Sequence, residues 1–88
     1  MDNPPVRLTN DPNHPDFHPS YPRVGVRIDG VERNDIKWYD SKQAMFRVTG
    51  MKMTDVPKLA TVIEPYWRYP ENRQQRRARE RWEQTHGK

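Results

Sequence analysis

From Arg23 onward the chain alternates apolar and polar positions with a period of two. Val24, Val26 and Ile28 stand against Gly25 and Arg27, the pattern of a strand with one buried face. Asp29-Gly30 follows, and an Asp-Gly pair between alternating runs predicts a tight hairpin, because both turn residues must tolerate φ > 0. The return strand is less regular, and Arg33-Asn34-Asp35 predicts a bulge before Ile36 and Trp38 resume the alternation. Asp40-Ser41-Lys42 reads as a second turn, and Ala44, Phe46 and Val48 as one face of a third strand ended by Gly50. Residues 51–58 form a connection in which Thr54 could cap a short helix. The β-branched run Thr61-Val62-Ile63 instead favours a fourth strand, and Pro65 would place that strand at an edge.

The two ends of the chain follow other rules. Residues 1–22 contain six prolines (Pro4, Pro5, Pro12, Pro15, Pro19 and Pro22) with Asn and Asp between them. Each proline fixes its own φ and pushes its predecessor out of helix, so this stretch reads as an extended arm with turns, either disordered or laid against something else. At the other end, residues 73–86 hold no Pro or Gly and are rich in Arg, Gln, Glu and Ala, which predicts a helix. Asn72 is its expected N-cap, with Glu71 as an alternative in the first turn, and Gly87 its stop. The expected architecture is α+β: a small antiparallel meander of three to four strands over residues 23–70, a Pro-rich arm over 1–22 and a basic C-terminal helix over 71–88.

Composition narrows the function classes. Apolar residues are dense between Val24 and Tyr69 (among them Leu59, Val62 and Trp67) and sparse outside, so the core is small and its stability margin thin. No cysteine means no disulfide and no thiolate metal site, which suits a reducing interior or a larger assembly. No apolar run approaches membrane-spanning length and no apolar signal core opens the chain, so it reads as soluble and untargeted, with no membrane partner. The net charge of +4 is unevenly divided. Residues 1–70 carry ten Lys/Arg against nine Asp/Glu, or +1; residues 71–88 carry six against three, or +3. The excess therefore points to a localised contact.

That contact would fall on Arg73, Arg76, Arg77, Arg79 and Arg81. Arg73, Arg77 and Arg81, spaced four apart, stack along one helix face, while Glu80 and Glu83 pair with Arg76 and Arg79. Arginine's planar fork binds phosphates bidentately and stacks on bases, which lysine cannot do. The stretch Asn72-Arg73-Gln74-Gln75-Arg76-Arg77-Ala78-Arg79-Glu80-Arg81-Trp82 resembles the arginine-rich helices of viral RNA-binding proteins, namely the lambdoid phage antitermination N proteins and lentiviral Rev. The resemblance covers about a dozen residues, and the two glutamates after Ala78 depart from it. It implies phosphate contacts from the five arginines, base stacking by Trp82, and RNA ahead of DNA as the partner. The Asn-Arg-x-x-Arg-Arg ending and Ile28-Asp29-Gly30-Val31 are also similar to small uncharacterised phage proteins, which implies a host-cell cytoplasmic or virion location.

The remaining candidates carry less. His14, Asp16 and His18 have an H-x-D-x-H spacing that suits a divalent metal, but the segment is broken by proline and no fourth ligand lies near, so no metal or other cofactor is expected. There is no cysteine nucleophile, Gly-rich phosphate loop or paired-carboxylate motif, so neither an enzyme nor a small-molecule substrate is expected. Asp29, Asp35 and Asp40 fall at turns or strand ends, where Asp has structural uses. A small meander cannot bury all of its aromatics, and Trp38, Tyr66, Trp67 and Tyr69 are the candidates for a partner-binding surface, unless the arm or helix covers them. Two functions follow. One is a nucleic-acid-binding accessory protein that works through the arginine helix. The other is a virion structural or assembly protein that docks on neighbouring subunits through arm and helix.

Overall fold

A computed structural model of the chain describes residues 3–86. The α+β class holds: among the described residues, two small antiparallel sheets pack around one core and a single helix follows them. The strands are β1 (Arg7–Thr9), β2 (Val24–Ile28), β3 (Val31–Arg33), β4 (Ile36–Asp40), β5 (Met45–Val48), β6 (Lys58–Leu59) and β7 (Ile63–Trp67), and the helix is α1 (Arg73–His86). One sheet has the order β1-β4-β5-β6 and the other β3-β2-β7. The single meander of three to four strands is thus replaced by two sheets.

The Asp-Gly hairpin forms as its residues dictate. Ile28 pairs with Val31, leaving Asp29 and Gly30 as a two-residue turn at φ 52° and 85°. The Asp29 carboxylate then accepts the backbone N–H groups of Thr61 and Val62, both at 2.8 Å. This spends the β-branched pair on closing a loop, so the strand predicted there begins only at Ile63, and Val62 stays 57% exposed. The edge position of Pro65 is correct for a definite reason. Asp29 N–H donates to Val62 O and Arg68 N–H to Arg23 O, so even-numbered residues of β7 face β2 and odd-numbered ones face outward. The N–H that Pro65 lacks would therefore point off the free edge.

Arg33-Asn34-Asp35 is a corner rather than a bulge in a continuous return strand. Arg33 donates twice to the Asp35 carboxylate, at 2.9 and 2.7 Å, and the chain there leaves one sheet for the other. The register irregularity falls later, between Ile36 and Trp38. The 51–57 connection holds no helix; Asp55 accepts the Lys52 N–H at 2.8 Å in a turn, and a two-residue β6 follows. Leu59, expected among the core residues, is 78% exposed on this short edge.

The proline-rich segment is laid against its own domain. Leu8 pairs with Tyr39 across β1 and β4, the Tyr39 hydroxyl donates to Pro5 O at 2.6 Å, and Ser41 N–H donates to Val6 O at 2.9 Å. Burial also pushes the Tyr39 hydroxyl above its usual pKa, so it stays a donor throughout the physiological range. Strand alternation then places side chains on two faces of this sheet. Leu8, Tyr39 and Phe46 point inward to meet Val24, Val26, Ile28 and Ile63 of the other sheet. Trp38 points the other way, where the segment after β1 folds back, and its indole N–H donates to Asp16 at 2.9 Å. The segment therefore supplies both an edge strand and a cover.

Candidate nucleic-acid interface

The helix begins with a reciprocal cap. Asn72 Oδ1 accepts the Gln75 N–H at 2.8 Å, and Gln75 Oε1 accepts the Asn72 N–H at 3.0 Å, satisfying two amides that a helix start leaves orphaned. The stop expected at Gly87 lies outside the described residues. Glu71, freed from capping, takes Arg79 in a two-pronged pair at 2.7 and 3.2 Å, and Arg79 also donates to Glu83 at 3.0 Å. Arg79's hydrogen bonds hold the Glu71 carboxyl below its usual pKa. Behind Glu71 lies Arg23, buried at 6% exposure, which donates to Tyr69 O at 3.2 Å and sits 4.5 Å over the Trp67 ring. Arg23 approaches Glu71 at 3.8 Å, so an alternating chain of charges, Arg23-Glu71-Arg79-Glu83, ties the helix to the body.

A second tie is aromatic. Trp82 meets His18 edge-on at 4.9 Å and stacks on His86 at 4.6 Å. Trp82 is half-buried, and no described helix residue is buried outright. The helix is thus docked along one side, with Trp82 turned toward the body and away from the place where the resemblance would have it stack on a base.

The five arginines accordingly divide. Arg79 belongs to the docking chain, and Arg76 pairs with Glu80 at 3.5 Å. Arg73, Arg77 and Arg81 are exposed, and their guanidinium groups have no ion-pair or hydrogen-bond partner among the described residues. At about 100° per residue, these three centre roughly 170° around the helix from Gln75, Arg79, Trp82 and His86, so they face away from the body. Every other arginine is engaged within the fold. Arg7 binds Asp40, Arg33 binds Asp35, and Arg68 reaches Asn34 at 3.5 Å. Arg27 lies between Glu64 and the Tyr66 ring, while Arg47 donates to Asp55 O and covers the Trp38 ring. Among the five helix arginines, the unpaired guanidinium groups are therefore three named side chains on one face.

The aromatic candidates do not form one surface. Trp38 is 7% exposed and hydrogen-bonded, so it is interior and cannot meet a partner. The Tyr66 ring lies on the outer sheet face over Gly25, where any Cβ would collide with it, and Arg27 sits 4.0 Å above. Trp67 carries Arg23 on its ring. Tyr69 is 43% exposed and reaches Pro22 O at 3.3 Å. The His14-Asp16-His18 spacing serves turns: His14 Nδ1 accepts the Asp16 N–H, His18 Nδ1 accepts the Ser20 N–H, and Asp16 holds Trp38. No group of three or more His, Cys, Asp or Glu among the described residues could hold a metal. No described helix is long and apolar enough to cross a membrane.

Sequence reasoning missed Arg23, Glu71 and His18, which together set the helix orientation. Only one signal was available. Arg23 directly precedes β2, and antiparallel pairing of Val24 with Trp67 brings that arginine to the strand exit that leads into the helix.

His18 makes helix docking sensitive to pH. Burial holds its imidazole below the ordinary value of 6.5, with Arg79 acting in the same direction and Glu83 and Glu71 opposing. A histidine whose folded pKa is depressed folds neutral, so its protonation favours the undocked or unfolded chain, and stability falls as pH drops below the unfolded value. The pairing of Glu71 fails at lower pH still, below its unfolded value of 4.5. The expected result is a lower thermal midpoint at pH 5 than at pH 7, measured by circular dichroism. Most of that difference should vanish in His18→Gln, and an unchanged difference would remove His18 as its source.

No protein-family model, curated protein or solved structure matches this chain.

Proposed function

We propose that this protein is a non-enzymatic nucleic-acid-binding accessory protein whose contact is the outward helix face of Arg73, Arg77 and Arg81. The observation that carries the reading is that these three arginines alone have no internal partner among the described residues, while facing away from the body. An exposed guanidinium without an acid can release counterions from a polyanion at full charge, whereas one already paired must first give up its carboxylate. An assembly role drew its support from a free arm, and that segment pairs with β4 of the same chain.

The test is binding of labelled duplex DNA and RNA hairpins, read by fluorescence anisotropy between about 50 and 200 mM salt. Affinity should fall steeply with salt. Replacing Arg73, Arg77 and Arg81 together by alanine should flatten the log–log slope by about 2 to 3, close to one unit for each phosphate that is no longer neutralised. Replacing the exposed Lys42 and Lys58 on the body should leave the slope nearly unchanged. Equal binding by the triple variant and the parent would remove the helix face from the function.

A further inference from the structure

We infer that the nucleic acid this helix fits is B-form duplex DNA, entered through its major groove by the face bearing Arg73, Arg77 and Arg81. The inference rests on the nucleic-acid reading above and adds the form of the ligand.

Three features of the helix select that form. It is set before binding: the Asn72–Gln75 cap fixes its start, and Arg76–Glu80 and Arg79–Glu83 brace its flank. A preformed helix about 10–12 Å across fits a major groove about 12 Å wide and 8.5 Å deep. The major groove of A-form RNA is deep and narrow, which shuts such a helix out. The outward face also carries no aromatic side chain. Trp82, the helix's sole aromatic apart from His86, is turned inward against His18, so the face lacks the stacking platform on which single strands are gripped.

The third feature is the chemistry of the face. Gln84 lies between Arg73 and Arg77 around the helix, and Gln74 lies beyond Arg81, all exposed. Arginine pairs with the O6/N7 edge of guanine and glutamine with the N6/N7 edge of adenine, both of which open into the major groove. Ala78, also exposed, adjoins Gln74 and Arg81, where a longer side chain would hold the helix off the groove wall. The three arginines span about 12 Å along the axis, so they can reach phosphates and guanine edges along the groove while the glutamines meet adenine edges. Docking through Arg79 and Trp82 leaves this whole face clear of the body.

The experiment uses the full chain and a labelled mixed-sequence duplex of about 20 base pairs, compared at low salt with the same sequence as duplex RNA and as single-stranded DNA and RNA. Duplex DNA is expected to bind at least about tenfold more tightly than each of the others. Dimethyl sulfate probing of the complex should then show protection of guanine N7, in the major groove, with adenine N3, in the minor groove, left reactive. Arg77→Ala, whose helicity is checked by circular dichroism, should reduce that protection and flatten the salt slope by no more than about one unit. Equal or tighter binding of duplex RNA or of either single strand, or protection of adenine N3 in place of guanine N7, would overturn the groove assignment and leave the nucleic-acid reading standing. Failure to bind any of the four would overturn both.

Discussion

Removing residues 1–20 should abolish cooperative unfolding of the remaining chain. The cut takes away β1 and with it the whole far neighbour of β4, including the Leu8–Tyr39 pair at the core. Leu8 alone, 5% exposed, is the kind of residue whose truncation costs about 2 to 5 kcal/mol. Tyr39 would lose its acceptor at Pro5 O, and Trp38 would lose both its hydrogen bond to Asp16 and its cover. A buried donor left without a partner costs roughly another 1 to 3 kcal/mol. Against a total stability of about 5 to 15 kcal/mol for a domain, these losses are enough to unfold it. The check is a thermal melt followed by circular dichroism. A truncated chain that melts cooperatively within a few degrees of the parent would show that the segment only rests on the surface.

The second large effect is expected at Asp40. It is 2% exposed, and its carboxylate accepts Arg7 Nε at 2.9 Å together with the backbone N–H groups of Lys42 and Gln43, each at 3.0 Å. One side chain therefore fastens β1 to β4 and closes the turn into β5. Charge-assisted bonds of this kind each contribute about 1.5 to 3 kcal/mol, and removing the carboxylate strands two amides and a guanidinium at once. Asp40→Ala should lower the unfolding free energy by about 3 kcal/mol, read from denaturant melts. Asp40→Asn, which keeps one acceptor oxygen for the turn, should cost less. Arg7→Ala should cost less again, because Arg7's side chain is 55% exposed and can be rehydrated. A loss below about 1 kcal/mol for Asp40→Ala would mean that water replaces all three donors.

What could be read from the sequence was what neighbouring residues decide among themselves. The Asp29-Gly30 hairpin and the Asn72-capped helix depend on backbone preferences within a few positions, and both formed where expected. The fate of the proline-rich segment was not legible, because a single buried leucine at position 8 leaves no periodic trace and its partner Tyr39 lies far along the chain. Arg33-Asn34-Asp35 gave the sign of an irregularity, but a bulge and a corner between sheets use the same polar residues, and only the placement of β4 beside β1 separates them. Thr61 and Val62 looked like a strand by propensity, yet the Asp29 carboxylate claimed their amides. At the candidate site, five arginines and their two glutamate pairings were visible. Those pairings already leave Arg73, Arg77 and Arg81 over, but that the trio faces away from the body depended on Glu71 and His18, which meet Arg79 and Trp82 across the fold.

The strand order also carries a consequence for how the chain comes off the ribosome. β2 is made early, yet its second neighbour, β7, starts only at Ile63, and the inner face of β2 supplies Val24, Val26 and Ile28 to the core. Until Trp67 has cleared the exit tunnel, those residues have the β3 hairpin arm on one side and an open edge on the other. Folding must then wait for a pairing that closes a long loop, an entropic barrier that slows β-rich chains relative to helical ones. The arginine helix emerges after β7, and its docking groups Glu71, Arg79 and Trp82 find Arg23 and His18 already in place. A nascent chain whose β2–β3 hairpin is outside the tunnel while β7 is still inside it would expose an unpaired edge, the kind of edge that invites aggregation.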